Sequence, residues 1–388
     1  MKKLSGYLTG VLIGGVGAVG SPLAQTVDQD ALRFTAGVQH VYDSNFLRSP
    51  EEIEEQITRA GAGMRFNQQY SAQKISLALS ASQYLYAERD ELDASAIEGQ
   101  ASWRSQFTSN ISTQLEFQRE EAPVDKLEYI GKDLVAREEA NARLSLGDTR
   151  RFGFILGAHQ MDNTHSNEER SVMDFKDQDL FSELRYRFAS SSWLGLRYRE
   201  GDRGYATINP TQGNLDFDYR QVELETAWAM TPKTKLTGFV GYFDREAHSL
   251  SASGNDGEGQ LASLKMEWEI SSKLASELTY RFNQPAVGET SDSPSEVSDS
   301  VFLMQWQFSP KVQIGFGASY AELFYEQSQV VLAERTERNV TVTPLLVTWT
   351  VYEAFILRLS SQWMDRRSPI YERDYQGYSA GLALAFHF

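Results

Sequence analysis

Five histidines, no cysteine and many paired arginines bound the chemistry this chain can do. Nucleophilic catalysis needs a serine or similar group held beside a base, and a metal centre needs ligands at close spacing. His40, His159, His165, His248 and His387 are scattered; only His159 points inward by parity, and spacing suggests no serine near it. Catalytic residues, metal ligands and cofactors are therefore not expected. The arginines read differently. Arg185 and Arg187, then Arg197 and Arg199, recur two apart, which puts the members of each pair on one face of a strand. Glu183, Glu223 and Glu225 share that parity. Guanidinium groups lining water attract anions and match carboxylates and sugar hydroxyls. The four arginines flank one tight turn, Ser190-Ser191-Ser192, so they are expected to ring one mouth of a pore. Paired with the glutamates, they would instead brace a wide wall. The sequence leaves both readings open.

The elements that must position these groups are strands. Period-two alternation recurs from Leu32/Phe34/Ala36/Val38 through Val222/Leu224/Thr226/Trp228 to Phe302/Met304/Trp306/Phe308, the pattern of strands with one apolar face. Tight turns, such as Thr231-Pro232-Lys233 and Ser309-Pro310-Lys311, alternate with long polar segments such as 122–132, 283–299 and 365–376. Counted from Leu32 to Phe388, this gives 18 strands in nine hairpins. An even number of strands with unequal ends describes an all-β, antiparallel, up-and-down transmembrane barrel of the outer-membrane type. In hydrocarbon only a closed cylinder pairs every backbone donor and acceptor of a sheet. At this strand number the backbone cylinder is roughly 36 Å across, too wide for side chains to fill, so loops must constrict it or something must pass through. Pro344 lies inside the run Val340–Val351 and cannot donate to the ladder, which predicts a bulge there.

Both ends fit that setting. Lys2 and Lys3 precede an uncharged stretch, and Ala24 is a plausible last residue before cleavage, so 1–24 reads as a signal peptide and 25–388 as a single barrel domain. With few residues between Ala24 and the first strand, no N-terminal plug is expected. The chain finishes on Leu382, Leu384, Phe386 and Phe388. A last strand ending on an aromatic is the assembly signal read by the barrel assembly machinery. A net charge of -16 excludes nucleic acid as a partner, leaving outer-membrane lipids and lipopolysaccharide. By parity the inward set includes Arg65, Tyr84, Tyr86, Arg104, Arg143 and Arg281 beside the four arginines above, and these define a candidate path.

The segment Val38-Gln39-His40-Val41-Tyr42-Asp43-Ser44-Asn45-Phe46-Leu47-Arg48 resembles the Y-D-x-N-x-x-R opening of the EpsL-like exopolysaccharide outer-membrane proteins, within a β-barrel porin group. Leu194-Gly195-Leu196-Arg197-Tyr198-Arg199, Gly204-Tyr205 and the strands bearing Trp228 and Trp268 extend it. The resemblance implies a conduit in exopolysaccharide export or synthesis, carrying a polysaccharide chain delivered by a separate periplasmic export partner. It transfers no catalytic residues. Asp43, Asn45 and Arg48 match the opening motif, where an Asx-type turn closing the first strand competes with a ligand site. A general or anion-preferring diffusion porin for small solutes is the alternative, signalled by an inward-folded loop with opposing acidic and basic rows. A scaffold barrel with a closed lumen, anchoring surface polymer, is the third.

Overall fold

A computed structural model describes residues 31–388 except 148–149, 190–191, 211, 250–254 and 327–332. The proposed signal peptide lies outside the described residues. Strands β1 (Leu32–Asp43), β2 (Glu55–Tyr70), β3 (Gln73–Tyr86), β4 (Ala94–Thr108), β5 (Ile111–Pro123) and β6 (Leu134–Leu146) come first. They are followed by β7 (Phe152–His165), β8 (Phe175–Arg187), β9 (Trp193–Tyr205), β10 (Phe217–Thr231), β11 (Thr234–Ala247) and β12 (Gly257–Glu269). The last third is β13 (Leu274–Asn283), β14 (Glu296–Ser309), β15 (Val312–Tyr325), β16 (Arg335–Tyr352), β17 (Phe355–Arg367) and β18 (Tyr375–His387). Each strand pairs antiparallel with its neighbours in sequence, and β1 also pairs with β18. The sheet is a closed 18-stranded barrel with no free edge, located by that closure and its apolar outer face in the outer membrane.

Alternation gives the barrel two surfaces. Leu180, Leu196, Val240 and Leu264 are outward and exposed, as a wall facing hydrocarbon requires. Val240 thereby settles a strand whose two faces both carry large residues, since Phe243 of opposite parity is buried inside. Short turns lie at the end where the chain finishes, the periplasmic side, and long loops at the other. The two rims differ chemically. Trp228, Trp268, Trp306 and Trp349 are exposed toward the periplasmic rim. At the outer rim tyrosines are paired with acids: Tyr42 Oη donates to Glu54 at 2.7 Å, Tyr198 to Glu200 at 3.2 Å and Tyr320 to Glu322 at 3.0 Å.

The strands run further than their apolar segments. β7 continues to His165 and β9 to Tyr205. Above the apolar band the outward positions become Asp162, Glu200 and Asp202, so hydropathy no longer marks a strand whose hydrogen bonds continue. At Pro344 the register shifts between Gly315 and Gly317 on β15 and between Val342 and Leu345 against β17, which is the expected bulge.

Closure rests on the last residues. Phe388 N donates to Phe34 O at 3.0 Å, and Phe34 N donates back to Phe388 O at 2.8 Å, with the two rings stacked at 6.4 Å. Leu382, Leu384 and Phe386 point outward on the same strand. Deleting Phe388 removes this pair of bonds at the seam. The expected outcome is a clear drop in the heat-modifiable, folded fraction recovered from outer membranes, and an unchanged fraction would count against the seam argument.

Candidate functional site: an arginine-lined lumen with a crossed mouth

The inward arginines are mostly held by carboxylates. Arg185 Nη2 lies 2.5 Å from Glu183 Oε1, and its guanidinium lies 3.5 Å from the centre of the Trp193 ring. Arg197 bridges Glu183 at 3.0 Å, Glu225 at 2.7 Å and Glu223 at 3.4 Å. Arg199 meets Asp179 at 2.8 Å, which His159 Nδ1 also meets at 3.0 Å. Higher on β9, Arg203 reaches Asp177 at 2.8 Å. Arg187 donates instead to the carbonyls of Gly147 and Arg150. These arginines do not ring the mouth. They stand on β8 and β9, two adjacent strands of 18, so they climb a single sector of wall. Charge compensation along that sector satisfies groups that are costly to bury alone.

The other path residues divide. Arg104 pairs with Glu116 at 2.9 Å, and Arg281 grips both oxygens of Asp299 at 2.9–3.1 Å. Arg65 and Arg143 face the lumen with no hydrogen-bond or ion-pair partner among the described residues. Tyr84 and Tyr86 are buried, in a cluster with Phe46, Ile57, Leu92 and Ala96. That cluster packs beneath the β1–β2 loop (44–54), so both tyrosines support the loop and do not line open water.

Asp43, Asn45 and Arg48 close that same loop. Arg48 Nη1 and Nη2 donate to the two oxygens of Asp43 at 2.9 and 2.7 Å, all buried. Asn45 N donates to Asp43 Oδ1 at 3.0 Å, the Asx geometry, and Asn45 Nδ2 reaches the carbonyls of Ser49 and Gln376. Arg48 takes a positive φ of 55° in this turn. Both Nη groups of Arg48, both oxygens of Asp43 and the Asn45 side chain are thus engaged in closing the loop.

Sequence reasoning allowed for inward-folded loops but did not say which segments form them. The β5–β6 loop (124–133) folds inward: Lys126, buried, lies 5.8 Å from the centre of the Phe46 ring. Burial pushes its ammonium below the usual lysine range, against the opposing pull of Asp125 and Asp133. Asp133 ties the loop's far end to Arg170 at 3.0 Å. The β13–β14 loop (284–295) starts from the other side of the ring, eight strands away from β5. The two loops meet: Ser291 Oγ donates to Glu128 Oε2 at 2.8 Å, and Ser291 N to the same oxygen at 3.2 Å.

The crossing loop is anchored on both flanks. Toward β9–β11, Arg245 Nη2 donates to Gln284 O at 2.7 Å, Tyr205 Oη to Val287 O at 2.8 Å, and Glu289 pairs with Arg203. Asn255 both accepts from Val287 N at 2.7 Å and donates to Val287 O at 3.1 Å. Gly288, at φ +94°, lies against Leu215 and Tyr205 with no room for a Cβ. Toward β16, Asp292 pairs with Arg335 and with Arg373 at 3.3 Å. Those arginines also converge on buried Glu337, along with Arg366 and Ser368. No residue type here is unusual, which is why composition gave no signal: the partners lie far apart in sequence.

Solved structures with the same architecture are OccK and OpdK outer-membrane porins of Pseudomonas aeruginosa. OccK2 (OpdF), determined in complex with glucuronate, aligns at 12% identity with a TM-score of 0.51, over 92% of this chain and 96% of that one. OpdK with vanillate aligns at 10% identity and 0.50, and OccK9 (OpdG) at 12% and 0.50, each over 92% of this chain and 98% of the other. At these identities the likeness establishes the fold. No family model matches the chain and no curated protein matches its sequence. The EpsL-like resemblance is corrected accordingly: the structural relatives are OccK/OpdK porins, not exopolysaccharide-export proteins. Asp43, Asn45 and Arg48 misled because any barrel can close a first loop with such a turn.

Proposed function

We propose that this outer-membrane barrel is a passive diffusion porin for small solutes, with a preference for small organic carboxylates. The observation that carries the reading is the mouth: two inward loops from opposite sides meet at Ser291 and Glu128 and are pinned along both flanks. A moving polymer needs a continuous wide bore, whereas a fixed crossing leaves only narrow passages of the kind that sort small solutes. Basic groups lining the lumen, among them Arg65 and Arg143, favour anions. The glucuronate and vanillate of the OccK2 and OpdK complexes are both small carboxylates, which agrees with that choice. Nothing in this reading asks the chain to make or break a covalent bond, or to hold a metal or cofactor.

The test is reconstitution of the purified barrel in planar bilayers and in liposomes. Discrete conductance steps are expected, with glucuronate entering liposomes faster than a neutral sugar of the same size. A barrel with no conductance would sink the porin reading and favour a scaffold with a closed lumen.

A further inference from the structure

Arg358 stands in the alternation Leu357-Arg358-Leu359 on β17, with the leucines outward and the guanidinium inward. It makes no hydrogen bond or ion pair with any described residue, and its Nε is buried without a partner. A guanidinium partly removed from water and left without an acceptor is costly, so buried polar groups of this kind are normally satisfied. On the β8–β9 wall Arg197 and Arg199 also leave Nε buried without a partner, but their Nη groups grip carboxylates, as no group of Arg358 does.

The surroundings explain why no internal partner exists. From β15 round to β3, the inward carboxylates among the described residues are Glu337, Asp43 and Glu55, all toward the outer end. Each is already engaged, by Arg335, Arg48 and Arg89 respectively. The inward neighbours of Arg358 across the ladder are Thr348 and Ala383. Gly381, Ala385, Gly37, Gly61 and Gly63 continue the inward surface. At Gly37, Gly61 and Gly63 a Cβ would come within 2.8–2.9 Å of a neighbouring carbonyl oxygen. Small residues thus keep the wall low beside Arg358, while the opposite wall carries long paired side chains.

We propose that this low sector is the solute's track and that Arg358 is its carboxylate-binding residue, the solute supplying the acceptor that the protein withholds. Nε is closed off, but the two Nη groups are not among the buried atoms, and together they present parallel donors, the geometry that receives a carboxylate bidentately. Arg65 on β2 is a second inward guanidinium of the same sector without an ion-pair partner among the described residues. The inference rests on the porin reading for its purpose, but its chemistry can be tested apart from transport.

The experiment is a calorimetric titration of the detergent-solubilised full barrel with 4-bromobenzoate, followed by anomalous diffraction from crystals soaked in it. Saturable binding is expected, with a bromine peak within reach of Arg358. R358Q should bind at least about tenfold more weakly, and R358K should recover part of the loss. Absent binding, unchanged affinity in R358Q, or a peak confined to another wall overturns the proposal. Heat-modifiability of R358Q confirms that it folds. A wild-type barrel that conducts but fails these tests loses only this site, and one that binds at Arg358 without conducting loses only the porin reading.

Discussion

Replacing residues 284–296 with an Asn-Gly turn is expected to raise single-channel conductance about threefold or more and to admit larger neutral sugars. β13 and β14 would still pair, since Asn283 faces Val297 at the top of their ladder and a two-residue turn can join such strands. What disappears is the crossing: the Ser291–Glu128 contact, the Val287–Asn255 pair of hydrogen bonds and the anchors on Arg203, Arg245 and Arg335. S291A should leave the crossing in place, because the flank anchors remain, and so change conductance little. Equal conductance in the loop deletion and the wild type would mean that the crossing does not limit flow.

E337Q should cost about 3–5 kcal/mol of folding stability, measured by urea unfolding of the barrel in lipid. Glu337 is fully buried and takes Arg335, Arg366 and Arg373 together, with Ser368. Neutralising it leaves three guanidiniums facing one another with the desolvation already incurred. Glu322 makes the matched control: its pair with Arg338 at 3.1 Å is exposed on the outer wall, and E322Q should unfold as wild type does. Similar losses in the two variants would remove the distinction between the buried network and an exposed pair. Because Arg335 also holds Asp292, E337Q should further raise open-channel noise in bilayer recordings.

The cylinder was legible in the sequence because one physical rule writes it everywhere. Lipid outside and water inside impose period two, and closure imposes an even number with short and long connections in turn. Strand ends were less legible, since above the hydrocarbon both faces meet water and Asp162 or Glu200 looks like loop. Parity assigns a residue to one face of a strand, but it says nothing about partners, and Tyr84 and Tyr86 are buried under a loop. Arg197 facing Glu183, Glu223 and Glu225, and Arg358 facing no acid, share the same local pattern and differ only through neighbouring strands. The mouth was least legible of all, because Glu128 and Ser291 are 163 residues apart and each is an ordinary loop residue. A short motif at Asp43, Asn45 and Arg48 filled that gap with a polymer, although the three residues are spent on a turn.

The irregularity at Pro344 works as a phase correction. Above it the lipid-facing positions of β16 are the even-numbered Val340 and Val342, and below it they are the odd-numbered Leu345, Val347 and Trp349. One additional residue lets two out-of-step apolar runs share a wall. Loss of a single residue between Thr343 and Leu345 would therefore act on the pleat as a frameshift acts on a reading frame. Val347 and Trp349 would swing into the water channel, Thr348 and Thr350 would swing into lipid, and the disturbance would persist to the turn at 353–354.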